Sequence, residues 1–195
     1  MKAQARILLA ALILTICLPA AAQEREAAEP WLFVGPRAGV TWALTSASRF
    51  DQELQEQYPG ERSYFPLYSQ LGFSLAQHVR LHPSGSRLMI QEGALLSGLD
   101  QNYALPALNL LVGVHFAPGV EASLGPELTF PPSGGVQAAL VYAVGWRFSL
   151  KAASVPVLLV LSPLPEDRLA RLTLLSGIDF ELLPKIQRKK TPFNY

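Results

Sequence analysis

The stretch VQAALVYAVGWRFSL, residues 136–150, separates into two rows when every second residue is read. Val136, Ala138, Leu140, Tyr142, Val144, Trp146, Phe148 and Leu150 form a large apolar row. Gln137, Ala139, Val141, Ala143, Gly145, Arg147 and Ser149 form a smaller one that carries an amide, a charge and a hydroxyl. A helix turns through 100° per residue and would mix the two rows, whereas a strand places them on opposite faces. The segment is therefore a strand with one greasy face.

The same period returns along the chain. In 67–81, Leu67, Leu71, Phe73, Leu75, Val79 and Leu81 oppose Tyr68, Gln70, Gly72, Ser74, Ala76, His78 and Arg80. In 120–130, Val120, Ala122, Leu124, Leu128 and Phe130 oppose Glu121, Ser123, Gly125, Glu127 and Thr129. In 170–182, Leu172, Leu174, Ile178 and Phe180 oppose Arg171, Thr173, Gly177, Asp179 and Glu181. Segments 31–44, 104–116 and 153–162 alternate less cleanly. Segment 87–98 has no assignable face, because Gln91 and Glu92 are adjacent and cannot both avoid the greasy side. Eight strands are expected.

The start of the chain reads as an export signal. Lys2 and Arg6 precede the apolar ILLAALILTICL, and PAAAQ offers small residues for cleavage after Ala22. Ile16, before Cys17, is too large for an acylation box, so simple cleavage is expected and the mature chain then has no cysteine. The expected organisation is a signal peptide at 1–22, a short periplasmic segment at 23–30, one barrel at 31–182 and a basic tail at 183–195. Only 16% of the chain is charged while 50% is apolar, and the net charge of +1 argues against a general nucleic-acid binder. The longest greasy run after the signal, VPVLLVL at 155–161, is far below the roughly 20 residues of a spanning helix.

Connections fall into two sets. HPSGS (82–86), APG (117–119) and the residues around Lys151 are tight turns. They alternate with 45–66, LDQN (99–102), PPSGG (131–135) and PLPEDR (163–168). This architecture resembles the small bacterial outer-membrane β-barrels, most of all the eight-stranded OmpA-type and OmpW-type barrels. The resemblance spans 31–182 and rests on strand pattern rather than on a short motif. One departure is the C-terminus, where LPKIQRKKTPFNY follows Phe180, leaving Phe180 and Tyr195 both open as the closing aromatic. The resemblance implies an up-and-down transmembrane barrel in the outer membrane, with lipid and lipopolysaccharide as partners and a surface ligand at loop 45–66.

A soluble lipocalin-like barrel has the same pattern turned inside out. Its outer row would be crowded with charge. Between residues 67 and 162 the charged residues are only Arg80, Arg87, Glu92, Asp100, Glu121, Glu127, Arg147 and Lys151. Gly35, Gly39, Gly72, Gly113, Gly125, Gly145 and Gly177 all fall on the polar row, where a narrow lumen needs room. Trp31 and Phe33 share parity with Arg37 and Gly39, so either a bulge near Gly35 switches the face or they plug the base.

The polar row supplies a lumen charge network: Arg37, Arg80, His115, Glu121, Glu127, Arg147, Arg171, Asp179 and Glu181, with His78 and Asn109 alongside. In so narrow a space charges have to pair. Glu121 is expected opposite Gly145 and paired with Arg147. A salt-bridged plug is expected, and a narrow channel for ions or small hydrophobic solutes is the alternative. His82–Ser84 has the His/Ser spacing of lipid A deacylases but lies in a turn and lacks their flanking residues. The histidines are too scattered for a metal site. No catalytic residue, cofactor or metal is expected, and oligomeric state is not legible.

Overall fold

Strand-period segments become ladders in the computed structural model, which describes residues 31–59, 63–81, 85–131, 134–150, 153–163 and 170–182. The export signal, residues 23–30, His82–Ser84 and the tail with Tyr195 lie outside the described residues. The strands are β1 (Trp31–Ala43), β2 (Leu67–Arg80), β3 (Arg87–Ser97), β4 (Leu105–His115), β5 (Val120–Thr129), β6 (Gln137–Ser149), β7 (Ala153–Ser162), β8 (Arg171–Gly177) and β9 (Asp179–Glu181). Each pairs antiparallel with its chain neighbour from β2 to β8. β1 pairs with β2 on one side and with β8 and β9 on the other, which closes the sheet. β8 and β9 both lie between β7 and β1 and are one strand interrupted at Ile178. The fold is a closed, up-and-down antiparallel barrel of eight strands.

The two rows take opposite faces. Leu71, Phe73, Leu124, Leu140, Val144 and Ile178 are exposed on the outer wall, and Trp42, Trp146 and Phe148 join them. Inside are Arg37, Gln70, His78, Glu121, Glu127, Arg147 and Asp179, all buried. That distribution is inverted relative to a protein in water: the large apolar side chains face out and the charges face in. It fits a hydrocarbon surround, which a closed barrel can cross because every strand finds its hydrogen-bond partners within the wall. No described helix is long and apolar enough to cross a membrane.

Segment 87–98 receives its face from its neighbours. His78 pairs with Met89, and Met89 with Gly113, so the inward row of β3 is Met89, Gln91, Gly93 and Leu95. Gln91 is buried and Glu92 lies on the outer wall. The strand β1 runs in unbroken register with β2 from Trp31 to Trp42, so no bulge switches its face. Trp31 and Phe33 point inward and plug the base. Gly145 shows why the inner row is small: a Cβ there would meet the Val157 carbonyl and come within 2.9 Å of Leu158 Cα.

At the end opposite β1's start, the described parts of the next connection, 44–59 and 63–66, fold over the mouth. Helix α1 (Ala47–Gln57) begins at Ser46, whose hydroxyl accepts from the Arg49 amide at 3.3 Å. Phe50 and Leu54, four apart on one face, are buried against Ala43, Tyr64, Tyr68 and Tyr103. The Tyr64 amide donates to Asp51 Oδ1 at 2.6 Å, and the Tyr58 hydroxyl to the Ala104 carbonyl at 2.7 Å. The spacing of Phe50, Leu54 and Gln57/Tyr58 in SRFDQELQEQY predicts a short helix in this connection; the helix forms, and its apolar face roofs the barrel.

Candidate functional site: a charged base under a closed roof

The base of the lumen is built where six strands, β1, β4, β5, β6, β7 and β9, bring inward residues together. Glu121 on β5 faces Gly145 on β6 in the ladder, and Arg147 lies one inward step further. The missing side chain at Gly145 lets the guanidinium reach back. Arg147 Nε donates to Glu121 Oε1 at 2.5 Å, and its Nη2 to Oε2 at 3.3 Å. Its Nη1 donates to Ser154 Oγ at 2.9 Å and to Asp179 Oδ2. Asp179 also pairs with Arg37 Nη1 at 2.6 Å, and His115 Nδ1 lies 3.1 Å from Glu121 Oε1. Two guanidinium charges meet two carboxylates, so this cluster is balanced within itself. Forked donors suit paired carboxylate oxygens, which explains arginine rather than lysine here.

Aromatic rings seal the cluster. Phe33 lies 5.6 Å from the Arg147 guanidinium and packs edge-on against His78 at 5.0 Å. His78 is fully buried, 5.7 Å from the His115 ring, with neither nitrogen hydrogen-bonded among the described residues.

A separate pair lies near the mouth. Arg171 Nη2 donates to Glu127 Oε1 at 2.7 Å. Thr41 and Thr173 share a hydrogen bond of 2.8 Å across β1 and β8. Below the pair is a polar cavity of about 20 Å³ touching Gln70, Gln91, Asn109 and Thr173, room for about one water. No ion pair among the described residues joins Arg171 and Glu127 to the base cluster. Of the nine residues proposed from sequence as one network, Arg37, His115, Glu121, Arg147 and Asp179 come together and Arg171 meets Glu127. Arg80 and Glu181 are exposed at the terminal rim and join neither group.

Beneath α1 the roof is tied to the turn at 98–104. The Gln101 side chain donates to the Phe65 and Leu67 carbonyls at 3.1 and 2.7 Å and accepts from the Phe65 amide at 2.8 Å. Asp100 Oδ1 accepts from the Ser69 amide and hydroxyl at 2.9 and 2.6 Å. Partial burial opposes the charge of Asp100, but these hydrogen bonds outweigh it and hold its pKa below the usual carboxylate value. Burial raises the phenol pKa of Tyr58 and Tyr103. Gly98 takes a left-handed φ of 82° and lies against the Tyr103 ring, where no side chain would fit. Sequence reasoning missed this tyrosine cluster and the part taken by Ser154. The i, i+4 spacing of Phe50 and Leu54 was the available signal.

Among the described residues no group of His, Cys, Asp and Glu is placed to hold a metal ion. No family model and no curated protein matches the chain. Among solved structures, the chain is similar to Ail, the attachment invasion locus protein of Yersinia pestis, in complex with the heparin analogue sucrose octasulfate. The identity is 12%, covering 77% of this chain and 96% of that one, with a TM-score of 0.45. A second Ail structure is 10% identical with a TM-score of 0.44 over 77% and 96% of the two chains. The de novo designed TMB2.3, solved by NMR, is 13% identical with a TM-score of 0.40 over 80% and 97%. By its own wall, ladder and lumen, the protein is a closed eight-stranded antiparallel β-barrel with an apolar outer wall and a charged lumen.

Proposed function

We propose that the protein is exported by its cleaved signal (1–22) and resides in the bacterial outer membrane as a structural or surface-interaction barrel without catalysis. In this reading 23–30 and the basic tail 183–195 lie on the periplasmic side. Lipid and lipopolysaccharide surround the wall, and the 45–66 connection faces outward as the surface a ligand would meet. One observation carries the reading: the lumen is filled at both ends. Phe33 and the Arg37–Asp179–Arg147–Glu121 chain occupy the base. Phe50, Leu54, Tyr64, Tyr68 and Tyr103 occupy the mouth.

A buried, charge-balanced plug suits a rigid post for surface loops better than an ion path, which needs sites weak enough to leave. The outward side of α1 carries Gln52, Gln55 and Glu56, a polar surface suited to contact outside the membrane. The test is conductance of the refolded mature chain in planar bilayers. Flat traces up to the voltage at which the bilayer fails are expected. Discrete, reproducible steps would overturn the closed-barrel reading in favour of the narrow channel.

A further inference from the structure

The rim at the end holding β1's start carries a charge arrangement that the base cluster does not explain. Arg80 and Arg87 face each other directly in the β2–β3 ladder, and Arg87 faces His115 in the next. Three basic side chains thus follow one another in a single register row. Like charges directly opposite each other weaken a sheet. One ring holds both: the guanidinium carbon of Arg87 lies 4.1 Å from the centre of Trp31, and that of Arg80 lies 5.2 Å from it. No described carboxylate lies within ion-pair distance of either arginine. Of the adjacent acids, Glu121 is engaged by Arg147 and His115 and Asp179 by Arg37 and Arg147, while Glu181 shares the rim within electrostatic reach of Arg87 but forms no ion pair with it. Arg87 Nε is buried with no hydrogen-bond partner among the described residues.

We propose that Trp31, Arg80 and Arg87 form a binding site for an oxyanion, a carboxylate or phosphate group approaching the base of the lumen from the terminal side. The indole covers the face of the guanidinium and leaves its N–H edge for the ligand, which is the geometry in which arginine holds planar oxygens in pairs. Two such forks side by side favour a ligand with two anionic groups or one dianion. All three residues lie on the inward row, so the site takes a group that enters at the base of the lumen rather than a headgroup lying along the outer wall. The inference stands on the rim alone and does not depend on whether the lumen conducts.

Trp31 reports on its own site. The other tryptophans, Trp42 and Trp146, are on the outer wall and become phenylalanine in the background variant. In uncharged detergent, pyrophosphate and succinate are each titrated against Trp31 emission, with chloride at matched ionic strength as the control. A saturable change with both oxyanions and little with chloride is expected. Arg80→Gln and Arg87→Gln should each weaken it about tenfold, one fork of charge-assisted hydrogen bonds being lost. Arg80→Lys and Arg87→Lys keep the charge and guard against misfolding; they should weaken binding less than glutamine does. Equal effects of chloride, or unchanged binding in both glutamine variants, would overturn the site. A Trp31 response seen only in vesicles containing phosphatidylglycerol, absent with soluble anions, would assign the oxyanion to lipid and overturn the placement inside the lumen base.

Discussion

Replacing Arg147 with alanine removes the one residue that joins both buried carboxylates. Glu121 and Asp179 have side chains only 1% exposed, so neither gains water when the guanidinium leaves. Breaking a buried pair from one side costs about 3–5 kcal/mol, because the surviving charge stays buried. Here Glu121 keeps His115 and Asp179 keeps Arg37, which places the expected loss near the lower end, about 3 kcal/mol. Adding Glu121→Gln restores the balance, since Arg37 then faces Asp179 alone. The double variant loses hydrogen bonds but strands no charge, and should be destabilised by about 1–2 kcal/mol. A double-mutant cycle in lipid vesicles, read by urea unfolding and tryptophan emission, should therefore find the double variant more stable than Arg147→Ala. If the double variant instead loses the sum of the Arg147→Ala and Glu121→Gln losses, Glu121 and Arg147 are not energetically coupled, and the argument that the base is held by charge balance fails.

The wall and roof make three further predictions. Leu124→Arg sets a guanidinium on the exposed apolar wall midway along β5 and should cost about 2–4 kcal/mol in the same unfolding assay; no loss would place Leu124 away from lipid. Glu92→Leu replaces the only acidic or basic residue on the outward rows of the described strands and should stabilise the barrel, by about 1 kcal/mol, the opposite sign to most wall changes. A loss instead would mean that Glu92 has a partner in the membrane. Asp100 has a lowered folded pKa, so its contribution is complete above the unfolded value of 3.8 and is lost as pH falls through the folded value. Tryptic cleavage after Arg49 should accordingly be independent of pH in refolded samples pre-incubated from pH 8 to 5, and Asp100→Asn should speed it several-fold throughout that range. A rate that rises between pH 8 and 5 would contradict the sign.

How much was legible in the sequence followed from how strongly each position is paid for by its surroundings. The period of 136–150 was readable because both faces are specified: lipid demands Leu140 and Val144 outside, and a narrow lumen demands Gly145 inside. The Glu121–Arg147 pairing followed by counting from the hairpin, and the ladder has Glu121 opposite Gly145. The nine lumen charges could be assigned to a face but not to a height. Strand tilt separates residues that share a row in sequence, so Arg171 and Glu127 meet near the mouth while Arg80 stays at the rim. The roof was legible only as a short helix, because its burial depends on tyrosines at 58, 64, 68 and 103 that come from three separate segments.

Segment 87–98 shows the limit from the other direction. Its own residues give no answer, since either parity exposes a polar group to lipid: Gln91 one way, Glu92 the other. The decision is made by both neighbours at once. With β3 in register, Met89 and Leu95 fill the lumen, Gly93 makes room for Asn109, and Leu88, Ile90 and Leu96 join the wall. A shift by one residue would send Arg87 to the wall and put Leu88, Ile90 and Leu96 in a space already filled by Leu111 and Leu158. One carboxylate facing lipid costs less than that rearrangement. The register therefore belongs to the closed sheet rather than to the strand, and the misfit residue Glu92 marks where local preference was overruled.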